Sequence, residues 1–276
     1  MTLLFRYFAL TSFDALKDEG TVLGVSFFRG TAEDAVERLL EGGLLVAPSG
    51  PGLSKNLIED SFYGKALDAA DIVLPDSGLM VLIWNWIASF GGFRIKRLSG
   101  LTFLSSFLRS PAVKCELDNS FWVMPSLEEN NMNLEWLRKE LDVSISAEET
   151  YIAPMYPSAG QIIDDLLLKN IQQQNPSIIF LNIGGGVQER LGHYLKDHLD
   201  PCPAILCCGA AIAFLAGGQA RIPDWADRLM FGWLLRCLHN PVGFVPRYWQ
   251  ARALVPLILR YRQLRPTLKD VPTKLA

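Results

Sequence analysis

The sequence predicts an α/β fold with a mostly parallel sheet, helices on both faces and a C-terminal helical appendage. Short apolar runs typical of buried strands alternate with longer segments of helical pattern between residues 22 and 208. Turns that contain glycine or proline separate many of these segments. Because parallel strands need crossover connections, this alternation favours helices that link successive strands across the faces of a sheet.

The individual elements follow from local patterns, taken in chain order. The apolar runs predict strands at 22–28, 44–47, 72–74, 121–124, 150–153, 177–182 and 204–208. Helical patterns predict helices at 32–40, 53–70, 79–87, 101–108, 127–141, 161–173 and 188–198. Thr31 is the expected N-cap of the first helix, with Glu33 and Asp34 in its first turn, and Gly42-Gly43 is its expected end.

The composition is that of a globular protein. Of the 276 residues, 50% are hydrophobic and 20% are charged, and the mean hydropathy is +0.19. No unbroken apolar run reaches the ~18 residues that a membrane-spanning helix needs. The first residues lack the order of charged, apolar and small segments that marks an export signal. We therefore expect a cytoplasmic protein.

Charge divides the chain into two regions. From Arg221 onward, eight Arg and two Lys stand against three Asp, a net charge of +7, whereas the first 220 residues carry −10. We expect a core domain at 1–218 and a basic helical appendage at 219–276. Arginines interleaved with tryptophans and tyrosines suit a membrane surface or a phosphate-rich ligand. A solvated helical face that docks on the core is the alternative.

A carboxylate follows the third predicted strand. The run Ile72–Leu74 stops at Pro75, and Asp76 then stands on a Ser-Gly turn before the next helical segment. The junction between a strand and a helix is where open α/β sheets place ligands and reactive groups. Asp76 is therefore either a general base for a substrate hydroxyl or the cap of the helix that follows it.

A second junction carries three glycines. Gly184, Gly185 and Gly186 follow a predicted strand and open a helix, where backbone N–H groups can approach an anion. A plain tight turn is the alternative, because glycine is the default turn residue. Gln188 and Glu189 in the next turn either reach a sugar or base hydroxyl or are ordinary first-turn helix residues.

Several other sites are not expected. The glycine run is neither the dinucleotide fingerprint nor a phosphate loop, and no ribose-binding acid follows ~20 residues on, which argues against an oxidoreductase. The chain has three histidines, at most two of them near each other, and its cysteines lack metal-ligand spacing. We expect no metal, no other cofactor and no nucleic-acid partner.

A set of short motifs in one order resembles the WecG/TagA/CpsF family of bacterial glycosyltransferases, from about Leu23 to about Tyr248. The motifs are Leu74-Pro75-Asp76-Ser77-Gly78, Arg97-Leu98-Ser99-Gly100, Gly184 with Gln188-Glu189, Gly209-Ala210-Ala211, Ala216-Gly217, and Arg221-Ile222-Pro223-Asp224-Trp225 followed by Trp233-Leu234-Leu235-Arg236. Each motif alone is ordinary, and the ordered set is fairly specific.

The resemblance implies a Rossmann-like core and an inverting transfer without an obligatory metal. The donor would be a UDP-linked sugar, usually an amino sugar, and the acceptor a sugar on polyprenyl diphosphate at the inner membrane face. Asp76 falls on the family's proposed base. Ser49, the glycine run, Gln188 and Glu189 fall in the donor site, and Arg97 is an acceptor or structural residue. The appendage would cover the donor diphosphate with arginines and help association. Its nearest counterparts are Arg221, Arg228 and Arg236.

The chain also departs from the family pattern. Ala47-Pro48-Ser49 stands where Thr-Pro-Asn is usual, Ala213 replaces a common acid, and Gly232-Trp233 replaces Glu-Trp. A lost hydrogen bond to a buried hydroxyl can change substrate selectivity strongly. Two hypotheses follow: the chain uses another nucleotide sugar, or it has lost transferase activity and binds nucleotide or lipid diphosphate as an assembly partner.

Overall fold

The computed structural model of the protein describes residues 20–209, 211–217 and 232–268. A short antiparallel hairpin comes first, formed by β1 (Thr21–Val22) and β2 (Val25–Ser26). The strands of the main sheet are β3 (Gly43–Val46), β4 (Ile72–Val73), β5 (Ser120–Met124), β6 (Thr150–Ile152), β7 (Ile178–Leu181) and β8 (Ala204–Cys207). Their order in space is β4-β3-β8-β7-β5-β6, and every neighbouring pair is parallel.

Helices connect these strands. They are α1 (Ala32–Leu40), α2 (Leu57–Glu59), α3 (Ser61–Ala69), α4 (Gly78–Ala88), α5 (Gly100–Arg109), α6 (Pro111–Lys114), α7 (Leu127–Leu141), α8 (Asp165–Gln174), α9 (Val187–His198) and α10 (Ala211–Leu215). The C-terminal helices are α11 (Gly232–His239), α12 (Pro241–Ala251) and α13 (Leu254–Tyr261). Short 3₁₀ turns lie at Leu117–Asn119 and Ala147–Glu149, and a π-helical turn lies at Gly52–Asn56.

The sheet separates two apolar cores. In β3, Leu44 and Val46 point into one core with α3, α4 and α9, whereas Leu45 points into the other with α1, α5 and α7. This alternation follows from the two-residue period of a strand, and both faces are buried because helices cover both. The predicted α/β sheet with helices on both faces is confirmed, as are the helices beyond it.

Most predicted elements are present, several with the expected ends. Helix α7 spans the predicted residues 127–141. Thr31 caps α1 through a hydrogen bond from the Asp34 N–H, and the Asp34 side chain accepts from the Thr31 N–H in return. Local patterns predict these helices well because the same residues provide both the apolar face and the caps.

Three predictions about local structure are wrong. The run 22–28 is a hairpin instead of one strand, because Leu23 and Gly24 adopt positive φ and form its turn. The helix expected at 53–70 is interrupted at Asp60, whose extended backbone ends one helix and whose side chain caps the next. The helix expected from residue 161 starts at Asp165, where the Asp164 side chain accepts from the Leu167 N–H.

The C-terminal helix α13 is part of the main core. It packs on α4 and buries Leu254 and Ile258 completely among core residues. The chain beyond it then meets the hairpin, where the Leu23 N–H donates to the Arg262 carbonyl at 2.7 Å. The boundary predicted between residues 218 and 219 lies outside the described residues and stays a prediction.

Candidate functional site

Four loops meet at one edge of the sheet. Strands β4, β3, β8 and β7 are consecutive neighbours and parallel, so the segments that follow them leave from the same carboxyl edge. Strand β4 lies on one side of β3, whereas β8 and β7 lie on its other side, so the connections leave β3 in opposite directions. Ligands of open α/β sheets bind where the winding reverses in this way. The segments after these strands therefore form the candidate site.

Asp76 stands at this edge in the loop after β4. Its side chain is half-buried, and its Oδ1 accepts a hydrogen bond of 3.1 Å from the N–H of Gly100, the first residue of α5. The helix that follows Asp76 directly, α4, is capped by Ser77, whose Oγ accepts from the Met80 N–H. The alternative that Asp76 caps the next helix is therefore wrong, since Asp76 contacts the start of a different helix.

Arg97 fixes the backbone of the same loop. Its Nε donates to the Asp76 carbonyl oxygen at 2.9 Å. The neighbouring Ser99 caps α5 by accepting from the Thr102 N–H, which places the Gly100 amide beside the Asp76 carboxylate. Arg97 thus has a structural contact with the loop that carries the candidate base, and the role on the acceptor remains a prediction.

Ser49 lies in the loop after β3, opposite the glycine turn. It is half-buried, and its Oγ accepts from the Gly52 N–H at 3.3 Å. A Cβ placed on Gly185 would lie 3.7 Å from this Oγ. The fold therefore brings Ser49 and Gly185 together across the switch point, although 135 intervening positions separate them in the sequence.

The glycine turn exposes backbone at the start of α9. Gly184 and Gly185 are exposed, and no hydrogen bond among the described residues uses either amide. Gly186 is buried with φ at 90°, and a Cβ there would lie 2.2 Å from the Asn56 Nδ2. Positive φ and this close approach explain why the third position is glycine. The two exposed amides suit an anion at a helix N-terminus.

Gln188 and Glu189 are engaged with the protein itself. The Gln188 Oε1 accepts from the Gly209 N–H at 2.7 Å and its Nε2 donates to the Cys207 carbonyl, so the residue joins α9 to the end of β8. The Glu189 Oε2 accepts from the Gly186 N–H at 2.6 Å. Both residues are buried, with 2% of Gln188 and 1% of Glu189 exposed. Direct contact with a donor remains a prediction, and what the geometry provides is support for the turn.

Burial also changes the charge behaviour of Glu189. Removal of the carboxyl from water raises the pKa of Glu189 to about 7, against the opposing effect of the hydrogen bond from Gly186. Tyr63 lies nearby with its hydroxyl buried and unpartnered among the described residues, and burial followed by the Glu189 charge raises the pKa of Tyr63. A titrating group therefore lies directly beneath the glycine turn.

Arg190 is a site residue that the sequence reasoning missed. It is 3% exposed, and its guanidinium donates to the carbonyls of Gly186, Gly160 and Pro157. Its Nε lies 3.3 Å from Oδ2 of Asp60, which is also buried. An arginine directly after Gln188-Glu189 gave no local signal, because it resembles an ordinary helix residue until its distant partners are known.

The C-terminal helices approach the loop after β3. The Ser54 Oγ donates to the Gln250 carbonyl at 3.5 Å, and a Cβ on Gly50 would lie 3.1 Å from the Cβ of Ala251. The end of α12 therefore packs beside the loop that carries Ser49. Arg221 and Arg228 lie outside the described residues. Arg236 falls in α11, and its side chain is not among those described.

Two of the positions that depart from the family pattern, Ala47 and Ala213, are apolar and buried in the structure. Ala47 is the residue after β3, at 8% exposure, and Ala213 lies within α10, at 1%. The Ala47 methyl group packs in the core that contains α5. The Ala213 methyl group is buried within α10. Neither position offers a hydrogen-bonding group to a ligand.

A cavity of about 220 Å³ lies away from this edge, between α3 and α9. Its lining includes Phe62, Lys65, His193 and Tyr194, and the Tyr194 hydroxyl is committed to Asp165. None of the site residues predicted from the sequence lines it, although Arg190 does. The candidate site therefore remains the carboxyl edge of the sheet.

Across 20–209, 211–217 and 232–268, no three or more His, Cys, Asp or Glu side chains are grouped so that they could hold a metal ion. In the same ranges, no helix has both the length and the apolar character required to cross a bilayer.

The sequence model described as the glycosyl transferase WecG/TagA/CpsF family matches residues 20–268, which is nearly the whole chain. Among curated proteins, none matches this chain. The matched region contains every strand and helix named above.

Proposed function

Because the chain belongs to the WecG/TagA/CpsF family of glycosyltransferases, a family of cell-surface polysaccharide synthesis, we propose a specific reaction for it. The protein transfers a sugar, an amino sugar by family precedent, from a UDP-type donor to a polyprenyl-diphosphate-linked acceptor. The transfer inverts the anomeric carbon and needs no metal. The observation that supports this proposal is the half-buried Asp76 carboxylate at the carboxyl edge of the sheet, the same edge at which the glycine turn lies.

The chemistry assigns one group to each charge that moves. The Asp76 carboxylate accepts the proton of the acceptor hydroxyl. The hydroxyl oxygen of the acceptor at the same time forms a bond to the anomeric carbon of the donor sugar. The bond between that carbon and the diphosphate oxygen breaks, and UDP leaves with the electron pair. A base of this kind contributes roughly 10²–10⁴-fold to the rate.

The donor diphosphate is bound by the glycine turn after β7 and by the loop after β3. The exposed amides of Gly184 and Gly185 lie at the N-terminus of α9, where backbone N–H groups and the helix dipole favour negative charge. Ser49 adds a hydroxyl opposite them. Gln188, Glu189 and Arg190 hold the turn in place from below. Arg221 and Arg236 are proposed to neutralise the leaving diphosphate, which arginine forks can do without a cation.

The transfer assay follows directly. Full-length protein would be incubated with a panel of UDP-, GDP- and CDP-sugars and a polyprenyl-diphosphate-linked sugar as acceptor, with or without EDTA, and nucleotide release would be measured. We expect release with a UDP-sugar only when acceptor is present, unchanged by EDTA. Loss of release in EDTA would overturn metal independence, and release with another nucleotide would overturn the donor class.

A second candidate function, binding without catalysis, is supported by two substitutions. Ala47 and Ala213 present methyl groups where the family pattern usually has polar side chains, and this favours a non-catalytic relative that binds nucleotide or lipid diphosphate. A thermal-shift screen with the same nucleotide panel separates the two functions. Stabilisation by UDP without release against any donor and acceptor supports the binding protein, and release supports the enzyme.

A peripheral position on the inner face of the membrane and a homo-oligomer are parts of the same proposal. Deletion from Arg221 onward is a poor test of the membrane position, because it would remove Leu254 and Ile258 from the core. Such a truncated chain would lose stability for reasons unrelated to lipid. Substitutions on the surface are the better test.

A further inference from the structure

Helix α4 carries a continuous stripe of exposed apolar side chains. Leu79, Leu82 and Trp86 lie in α4 and Phe90 lies in the turn directly after it; they follow one another at spacings of three and four residues and are 36%, 54%, 61% and 82% exposed. This spacing places side chains on one side of a helix. The Trp86 and Phe90 rings touch edge to face, with centroids 5.8 Å apart. The opposite side of α4 is buried in the core through Met80, Val81 and Trp84.

The segment after α4 folds back along the helix and brings positive charge to it. The Asn85 amide exchanges two hydrogen bonds with the backbone of Ile95, at 2.8 and 2.9 Å, and the Trp84 Nε1 donates to the Phe93 carbonyl. These bonds hold the segment that carries Arg94 and Lys96, both exposed, against α4 at Trp84 and Asn85. We call the stripe and these two cations, Leu79, Leu82, Trp86, Phe90, Arg94 and Lys96, the α4 face.

Helix α13 extends the same character next to it. It packs on α4 through its buried side, and it exposes Val255 and Leu259 one residue after each buried position. Arg252 and Arg260 on or beside this helix are exposed as well. The segment 78–96 and α13 with its flanking residues therefore both combine exposed apolar side chains with arginine or lysine.

Acidic residues are missing from both segments. The chain has 29 Asp and Glu, yet none lies between Asp76 and Glu116 or between Asp227 and Asp270. A surface that mixes large apolar side chains with cations and lacks acids is complementary to a layer of anionic headgroups over hydrocarbon. A solvated protein surface has no reason to exclude acids over such lengths, because both signs of charge are usually interspersed.

We propose that the α4 face docks on an anionic lipid bilayer, with Trp86 and Phe90 in the headgroup region. The α4 face belongs to the core domain, and the basic segment after Arg221 contributes only the neighbouring α13 to this side of the molecule. Its consequence rests on the proposed function: Leu79 lies three residues after Asp76, so docking would hold the carboxyl edge of the sheet at the surface where a lipid-linked acceptor presents its hydroxyl.

Vesicle sedimentation of the full chain tests the proposal. Vesicles of phosphatidylcholine with phosphatidylglycerol would be compared with phosphatidylcholine alone, at low and high salt. Trp86→Gln with Phe90→Gln should lower the partition coefficient at least about tenfold, because two aromatic side chains leave the interface. Arg94→Gln with Lys96→Gln should lower it about fivefold for each charge at low salt and much less at high salt.

The matched control removes apolar side chains of equal exposure elsewhere. Leu127 and Leu166 are 64% and 61% exposed on α7 and α8, and Leu127→Gln with Leu166→Gln should leave the partition coefficient unchanged. Far-ultraviolet circular dichroism and UDP thermal shift would show that each variant folds. Because vesicle binding is measured without turnover, failure of the proposed transferase activity and failure of bilayer docking are separate results.

Three results would overturn the proposal. The wild-type chain does not sediment with anionic vesicles, the control pair loses as much binding as the α4 pair, or the α4 pair keeps its binding. If the α4 pair instead converts an oligomer to a monomer in analytical ultracentrifugation while vesicle binding is unchanged, the α4 face is an interface between copies of this chain.

Discussion

Two loops at the carboxyl edge of the sheet, the one after β4 and the one after β7, are built in different ways. The loop after β4 presents a side chain: Asp76 is half-buried, and its carboxylate accepts from the amide of Gly100. The turn after β7 presents backbone, and the polar side chains behind it are almost fully buried and bonded to the turn itself. A carboxylate that must gain a proton stays near solvent, whereas amides that hold an anion need a rigid support.

This contrast predicts different phenotypes. Changes in the first loop should reduce turnover and leave the fold intact, whereas changes behind the second should reduce stability before they affect chemistry. The predictions that follow test that division, from the largest expected effect to the smallest.

Asp76→Asn should lower the turnover number by about 10²–10⁴-fold while UDP binding and the melting temperature stay close to wild type. The amide retains an oxygen that can accept from the Gly100 N–H, but it cannot take a proton from the acceptor. Nucleotide release and thermal shift measure the two properties. Asp118→Asn, at an exposed position, is the control. Unchanged turnover would remove Asp76 from the mechanism.

Arg190→Ala should reduce the free energy of unfolding by about 3–5 kcal/mol, because it leaves the buried Asp60 carboxylate without its partner. Chemical denaturation with urea measures this. Arg138→Ala, an exposed arginine on α7, should change stability by less than about 0.5 kcal/mol. If Arg190→Ala is as stable as the control and only turnover falls, then support and chemistry are not divided between the loops as we describe.

Stability should depend on pH through Glu189. Burial raises the pKa of this carboxyl to about 7 from an ordinary 4.5, so the folded chain keeps a proton that the unfolded chain releases. The contribution to stability is therefore complete below pH 4.5 and lost as the pH rises through 7, a change of about 3 kcal/mol. Glu189→Gln keeps an acceptor for Gly186 and should not show this loss.

The measurement is a urea titration of both proteins from pH 4.5 to 8. Their difference in unfolding free energy isolates Glu189 from the other titrating groups. Glu135→Gln on the exposed side of α7 should track wild type. Parallel curves for wild type and Glu189→Gln would show that the carboxyl ionises normally and that the turn is not supported by a protonated group.

Gly186→Ala should destabilise the fold by about 1–3 kcal/mol, because its φ of 90° is strained for alanine and the added Cβ meets Asn56. Gly184→Ala is the matched control in the same turn, where a Cβ meets nothing within 4 Å. It should cost less than about 0.5 kcal/mol. Thermal unfolding compares the two. Equal losses of stability would mean that the backbone conformation of Gly186 and its contact with Asn56 do not constrain the turn.

Much of the fold was readable from the sequence because its signals are local. The apolar run 121–124 and the helix at 127–141 carry their own pattern, caps and ends, and the structure has them as predicted. The prediction of one strand at 22–28 was wrong because the residues of this run are typical of a strand, whereas Leu23 and Gly24 adopt positive φ and turn the chain. That turn is paired with the carbonyls of Arg262 and Gln263, far along the sequence.

The candidate site was readable in part. Asp76 and the glycine run were singled out because strand–turn–helix junctions have a composition of their own. Arg190 was not, since its partners are the carbonyls of Gly160 and Pro157 and the carboxylate of Asp60. No local pattern marks a residue whose role is to join three distant segments.

The sequence by itself determined the alternation of strands and helices, the two strand–turn–helix junctions at Asp76 and at the glycine run, and the separation of acidic and basic regions. These properties arise from residues close together in the chain. The tertiary structure alone decided that Asp76 contacts the start of α5 instead of capping α4, and that Gln188 and Glu189 face the protein. It also decided that α13 joins the core. Such contacts depend on the order of strands in the sheet, which spacing along the chain does not encode.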